Sequence, residues 1–176
     1  MKLFWQTFIL VLLGLVIACK RPPEYPKTPE ISFKSINKQK VQQKRGPGFF
    51  VTIDSVTISL NFKDGDGDLG RSDDTENYFC RVLMKQNDIF KDILVIDTLT
   101  KKSVPIPKNG RFFPLNIDGR QGPIEGVLNF GPSLNFVAYV PDSVVDYTLK
   151  FQIYIKDNAG NQSNVVESTP VLVKLY

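Results

Sequence analysis

The chain of 176 residues has no histidine, only two cysteines and a single tryptophan. The missing histidine removes the commonest general base, the usual partner of a serine or cysteine nucleophile, and the commonest zinc ligand. Cys19 closes an N-terminal apolar run, whereas Cys80 sits in a short apolar stretch of the body. With Cys19 assigned to an export signal, no pair remains for an internal disulfide. Cys80 then reads as a small buried hydrophobe with no neighbour to activate its thiol. A persuasive amphipathic helical pattern is also lacking.

Hydrophobic residues at 42% and charged residues at 23% are those of an ordinary globular protein, and the length suits one domain plus a targeting segment and a linker. The net charge of +4 is unevenly spread. Lys34, Lys38, Lys40, Lys44 and Arg45 run together without a carboxylate, while Asp64, Asp66, Asp68, Asp73, Asp74 and Glu76 crowd into thirteen residues. Neither a groove-entering helix nor a series of stacking aromatics accompanies the basic stretch, which argues against nucleic acid as a partner. That stretch reads as a solvated loop, with anionic lipid as the alternative contact.

Met1 and Lys2 precede an almost wholly apolar run over 3–18, interrupted at Gln6, Thr7 and Gly14. One positive charge, a short apolar run and a terminal small residue make a signal peptide, too short and too abruptly ended for a stable span. Val16-Ile17-Ala18-Cys19 resembles the bacterial lipobox. The resemblance implies cleavage before Cys19, a diacylglyceryl thioether on its sulfur and an acylated amino terminus. Several acyl chains, at about 0.8 kcal/mol per buried methylene, would hold the protein at a membrane. An uncleaved signal anchor is the alternative, disfavoured by Arg21-Pro22-Pro23 just beyond. Residues 19–29, with Pro22, Pro23, Pro26 and Pro29, read as an extended tether, and residues 30–176 as the folded domain. Some related bacteria mark surface lipoproteins with acidic residues after the cysteine, and here Lys20 and Arg21 stand instead. The expected location is the outer membrane of a Gram-negative bacterium, with the periplasmic face preferred to the cell surface.

The body alternates or runs continuously in Val, Ile, Phe and Tyr between Gly, Pro, Asn and Asp, which predicts strands over 31–36, 49–62, 78–85, 93–97, 111–117, 124–130, 147–156 and 165–175. Alternation is clean in Val51, Ile53, Val56, Ile58, Leu60 and Phe62, with a change of phase at Asp54-Ser55 that reads as a bulge or bend. It is clean again in Tyr147, Leu149, Phe151, Ile153 and Ile155. About eight such strands predict an all-β, immunoglobulin-like or fibronectin-III-like antiparallel sandwich, with a barrel as the alternative.

The sharpest motif is Asp64-Gly65-Asp66-Gly67-Asp68-Leu69-Gly70, directly after a strand. Carboxylates alternating with glycine let a turn aim several hard oxygens inward, as calcium requires. EF-hand spacing is not met, because the sixth position from Asp64 is Leu69 rather than glycine and the twelfth is Thr75 rather than glutamate. Candidate metal ligands are Asp64, Asp66, Asp68 and Asp73, with Asp74 and Glu76 at hand, and Asp157 from a second loop, Asp157-Asn158-Ala159-Gly160-Asn161. A competing reading makes both loops tight turns in which aspartates cap backbone amides. A third makes Glu125, or the acids from Asp64 to Asp74, the acid and base of an envelope-polysaccharide hydrolase. Glycine-flanked acids in one loop fit that poorly, for they lack apolar shielding and a cleft of about 5–9 Å between two fixed carboxyls.

Together, 64–70, Gly110-Arg111-Phe112-Phe113-Pro114-Leu115, Pro123-Ile124-Glu125-Gly126 and 153–164 resemble a family of lipoproteins from Bacteroidetes, and the Asp157 turn resembles that of many bacterial immunoglobulin-like domains. The resemblance implies the sandwich and the anchored location, and brings no catalytic residues with it. Asp54-Ser55-Val56, Asp97-Thr98-Leu99 and Asp142-Ser143-Val144 resemble the O-glycosylation acceptor of those bacteria, the first falling inside a predicted strand. The functional expectation is a non-enzymatic, lipid-anchored binding or assembly module, presenting loops or an edge strand to an envelope protein or glycan, with Tyr139 and Tyr154 as aromatics a glycan could use.

Overall fold

The computed structural model describes residues 23–97, 99–116, 119–132 and 145–175. The segment 1–18, Cys19, Thr98, Tyr139 and Ser143 lie outside the described residues.

Residues two apart in β2 (Phe49–Asp64) turn Asp54, Val56, Ile58, Leu60, Phe62 and Asp64 inward, all of them buried. Across the core, β3 (Tyr78–Gln86) answers with Tyr78, Cys80 and Val82, and β8 (Val145–Ile155) with Leu149, Phe151, Ile153 and Ile155. Each fully buried large aliphatic or phenyl side chain contributes roughly 1.5–3 kcal/mol relative to exposure. The edges are supplied by β1 (Glu30–Gly46), β4 (Ile89–Asp92), β7 (Ile124–Phe130), β9 (Val166–Glu167) and β10 (Val171–Leu175), while β5 (Leu94–Ile96) and β6 (Ser103–Pro105) form a separate hairpin.

Every strand pairing among the described residues is antiparallel. One sheet has the order β1-β2-β7, the other β10-β8-β3-β4, with β9 also beside β8. Lettered along the chain, this is A-B-E packed on G-F-C-C′, the immunoglobulin-like order, with the β5–β6 hairpin inserted between C′ and E. The all-β antiparallel sandwich expected from the alternation is therefore the observed fold. No helix of the described residues is long and apolar enough to cross a membrane.

Several local expectations are corrected. The basic stretch is not a loop: β1 continues through it to Gly46 and pairs with β2 around a turn at Pro47-Gly48. A two-stranded ribbon whose ladder satisfies its own amides needs no apolar alternation, so Lys38 to Lys44 left no periodic signal. The ladder also runs unbroken past Asp54 and Ser55, opposite Lys40 and Gln39; the irregularities lie in β1, between Phe33 and Ser35 and between Lys44 and Gly46. The change of phase marks an aspartate at an inward position instead. The stretch 165–175 is split, because Ser168 gives its amide to Phe151 O (2.9 Å), takes the Phe151 amide on Oγ (3.1 Å), and is followed two residues on by Pro170, which has no amide.

The predicted strand over 111–117 is absent from its described part. Its backbone is satisfied by other partners. Asn77, fully buried, accepts the Phe112 amide on Oδ1 (2.9 Å) and donates Nδ2 to Phe112 O (3.0 Å), while the amides of Leu115 and Arg71 reach Leu69 O (3.0 Å) and Phe112 O (3.1 Å). One side chain thus replaces a rung of the ladder and holds 110–116 against the loop that carries the acidic motif.

Candidate metal centre

Inward parity brings β2 to its end with Asp64 fully buried. Its Oδ2 accepts the amides of Gly67 (2.8 Å) and Asp68 (3.1 Å), closing a tight turn. Gly67 has φ of 73°, and a Cβ there would stand 2.5 Å from the carbonyl oxygen of Gly122. Glycine is required both for the left-handed backbone and for the close approach. The Gly122 amide in turn reaches Asp66 O (3.2 Å). Leu69, next along, is buried in the core, so the loop is pinned by an apolar plug where an EF-hand would carry its glycine.

A second loop meets the first from across the sandwich. Asp157 is buried just beyond β8 and accepts Asn161 N on Oδ1 (2.7 Å) and Asn161 Nδ2 on Oδ2 (2.8 Å), which shapes the turn. The Ala159 amide reaches Asp68 Oδ2 (3.1 Å) and the Asn158 amide reaches Asp68 O (3.3 Å), so the two loops are stitched together by backbone donors.

The turn bonds use only some of the carboxylate oxygens. Among the described residues, Oδ1 of Asp64, Asp66 and Asp68 is buried with no hydrogen-bond partner. One oxygen from each of Asp64, Asp68 and Asp157 lies within 4.8 Å of the other two. Oxygens held by one calcium at about 2.3–2.6 Å stand at most about 5.2 Å apart, so the cluster fits around a single ion. Burial, then the charges of Asp66 and Asp68, push the Asp64 carboxyl up to about 6, against the two amides that pull it down. Burial and then the charges of Asp157 and Asp66 raise Asp68 as well. Converging, orphaned and mutually repelling carboxylates form a site that a hard dication would neutralise and satisfy.

Of the residues singled out by sequence, Asp64, Asp66, Asp68 and Asp157 are brought together here, and Asp73, in the same loop, is not among the clustered carboxylates. Asp73 is exposed and chelates Arg71 through both oxygens (3.0 and 3.1 Å), and this pairing, with the Thr75 amide, holds its carboxyl down at about 2. Asp74 pairs with Arg111 (2.7 Å) and Glu76 accepts Asn109 Nδ2 (2.9 Å). The acidic run therefore divides into an inward half facing the cluster and an outward half paired with cations and an amide. Glu125 sits on the outward face of β7, where it accepts the Tyr25 hydroxyl (2.7 Å).

Sequence patterning missed the residues that brace the site. Tyr25 and Pro26, within the proline-rich segment, lie over Gly65, whose Cβ would meet Tyr25 O at 2.3 Å and Pro26 O at 2.7 Å. Asn164 clamps Ile31 by both backbone groups, accepting its amide (2.9 Å) and donating to its carbonyl (2.8 Å). Neither contact has a periodic or compositional signature; only the glycine at position 65 hinted that something passes close by. Elsewhere, a groove of about 330 Å³ crosses the outer face of the second sheet between Phe79, Tyr154, Pro107 and Val165, and among the described residues no carboxylate lines it. No family model, curated protein or solved structure matches the chain.

Proposed function

We propose that this chain is a lipid-anchored, non-enzymatic binding or assembly module of a Gram-negative cell envelope, stiffened at one end of its sandwich by a calcium ion held by Asp64, Asp66, Asp68 and Asp157. The observation that carries the metal is the set of three buried carboxylate oxygens without partners, on Asp64, Asp66 and Asp68, at a place where carboxylates of Asp64, Asp68 and the buried Asp157 converge within 4.8 Å. An exported location supports it, because calcium modules outside the cytoplasm work at about 10⁻⁴–10⁻³ M ion, where modest affinity suffices. The ion would join loops from both sheets. The membrane is reached through the acyl chains on Cys19, and the partner, an envelope protein or glycan, through sandwich loops or an edge strand.

The test is calorimetric titration of calcium into the detergent-extracted protein, with melting followed in calcium and in chelator. Heat and a raised melting point support the reading; neither would reduce the aspartates to turn chemistry and remove the ion. The anchor is tested in parallel by mass spectrometry. The mature protein should begin at Cys19 and carry acyl mass, and Cys19→Ala should retain residues 1–18; an acyl-free mature wild type would overturn the anchor.

A further inference from the structure

The segment between the expected anchor and the first strand is bound to the same end of the sandwich as the aspartate cluster. The Tyr25 hydroxyl donates to Glu125 (2.7 Å), Lys63 stands 5.2 Å from the centre of the Tyr25 ring, and the backbone of residues 25–26 rests on Gly65. At the other end of the segment, Asn164 grips Ile31. Gly65 lies between Asp64 and Asp66, and Asn164 follows the Asp157 turn, so residues 25–31 span both loops of the cluster. Any spreading of the carboxylates moves the surface on which the segment rests.

We infer that occupancy of the aspartate site controls whether residues 25–26 stay clasped on the domain, and hence how far the domain stands from the membrane. This rests on the calcium reading above. With the ion bound, Asp64 and Asp66 are drawn inward and Gly65 offers a flat bed to Tyr25 and Pro26. With the ion removed, four carboxylates and three unpartnered oxygens drive the loop open, and the bed is lost. Cys19 and Tyr25 are six residues apart, whereas Cys19 and Glu30 are eleven apart. At about 3.3–3.6 Å per extended residue, the clasped domain lies within about 20 Å of the anchor, and release extends that reach to about 36–40 Å. The device acts on the geometry of presentation. Because the coupling is reciprocal, a clasp that calcium stabilises must in turn tighten calcium binding by the same factor.

The experiment uses the full lipidated protein in detergent micelles and follows tryptic cleavage after Lys27, inside the clasped segment, with cleavage after the exposed Lys101 in the β5–β6 turn as the internal control. In chelator, cleavage after Lys27 should accelerate about tenfold while cleavage after Lys101 holds constant. Tyr25→Ala should cleave fast even in calcium and should bind calcium about tenfold more weakly by calorimetry. Calcium heat with an unchanged rate at Lys27 overturns the clasp and leaves the calcium site standing. Absence of heat overturns both. Equal acceleration at Lys27 and Lys101 means global loosening and also overturns the clasp.

Discussion

The carboxylate of Asp54, in β2 of one sheet, accepts the backbone amide of Lys174, in β10 of the other, at 2.7 Å. Asp54 is only 3% exposed, and Lys38 Nζ, 3.5 Å from its carboxylate, itself donates to Leu172 O at 2.7 Å. The two sheets are thus tied by a charged acceptor at a position that core patterning would give to an aliphatic residue. Asp54→Ala removes the acceptor and leaves a part-buried amide without a partner, a loss of about 1.5–3 kcal/mol for a hydrogen bond to a charged group. Asp54→Asn keeps an acceptor and should cost less. Urea midpoints at unchanged slope check both, and an Asp54→Ala midpoint equal to wild type would show that the bridge contributes nothing.

Asn77→Ala tests the replacement of a ladder rung by a side chain. The substitution strands the amide of Phe112 and leaves its carbonyl with the Arg71 amide alone, so about 1–3 kcal/mol should be lost for the one group left unsatisfied. Hydrogen exchange at Phe112 and Leu115 should rise well beyond what the change in global stability explains. Exchange that rises uniformly over the domain would mean that Asn77 supports the core at large and has no special hold on 110–116.

These two residues show where sequence patterning stops. Strands β2, β3, β7 and β8 were legible because a half-buried strand writes its burial into a period of two, and the inner faces of these four carry most of the core. The long β1, the split of β9 from β10 and the irregular course of 111–116 were not, because polar partners satisfy the backbone there and no apolar period is needed. Asp54 shows in the sequence only as a fault in the alternation, which a bulge or bend would produce equally well. In the site, carboxylates spaced by glycine announced an acidic turn, and the Asp157 turn supplied the far side. Which aspartates face inward depends on the end of β2 and on Arg71 and Arg111, which draw Asp73 and Asp74 outward; spacing alone does not encode that.

Cys80 should be inert in the folded protein. Its side chain is buried between the sheets, and burial pushes the thiol up to about 12, with Lys108 pulling slightly the other way. Thiolate is the reactive form, so at pH 8 the native fraction of it is negligible and the group is shielded as well. An aromatic disulfide reagent at pH 8 should label the native protein far more slowly than the urea-unfolded protein, at the rate of global opening. Rapid labelling without denaturant would mean that the second sheet opens at Cys80.

The division of the acidic run into two halves makes the sharpest prediction about the metal. Asp64→Asn and Asp68→Asn each remove charge from the inward cluster and should abolish calcium heat. Asp73→Asn weakens only exposed contacts, with Arg71 and the Thr75 amide, and should bind calcium as wild type does, with stability changed by no more than about 0.5 kcal/mol. At calcium concentrations a hundredfold above the dissociation constant, the ion should add about 2.7 kcal/mol, which for a domain of this size raises the melting temperature by about 5–10 °C. In chelator the order reverses for Asp64→Asn, since removing one charge from the repelling set relieves strain that the ion would otherwise relieve, so this variant should melt at or above wild type. A Asp64→Asn protein that is less stable in chelator and equally stabilised by calcium would assign the carboxylate to the Gly67 and Asp68 amides alone. That result would return the loop to turn chemistry, with the unpartnered oxygens left as an unrelieved cost of the fold.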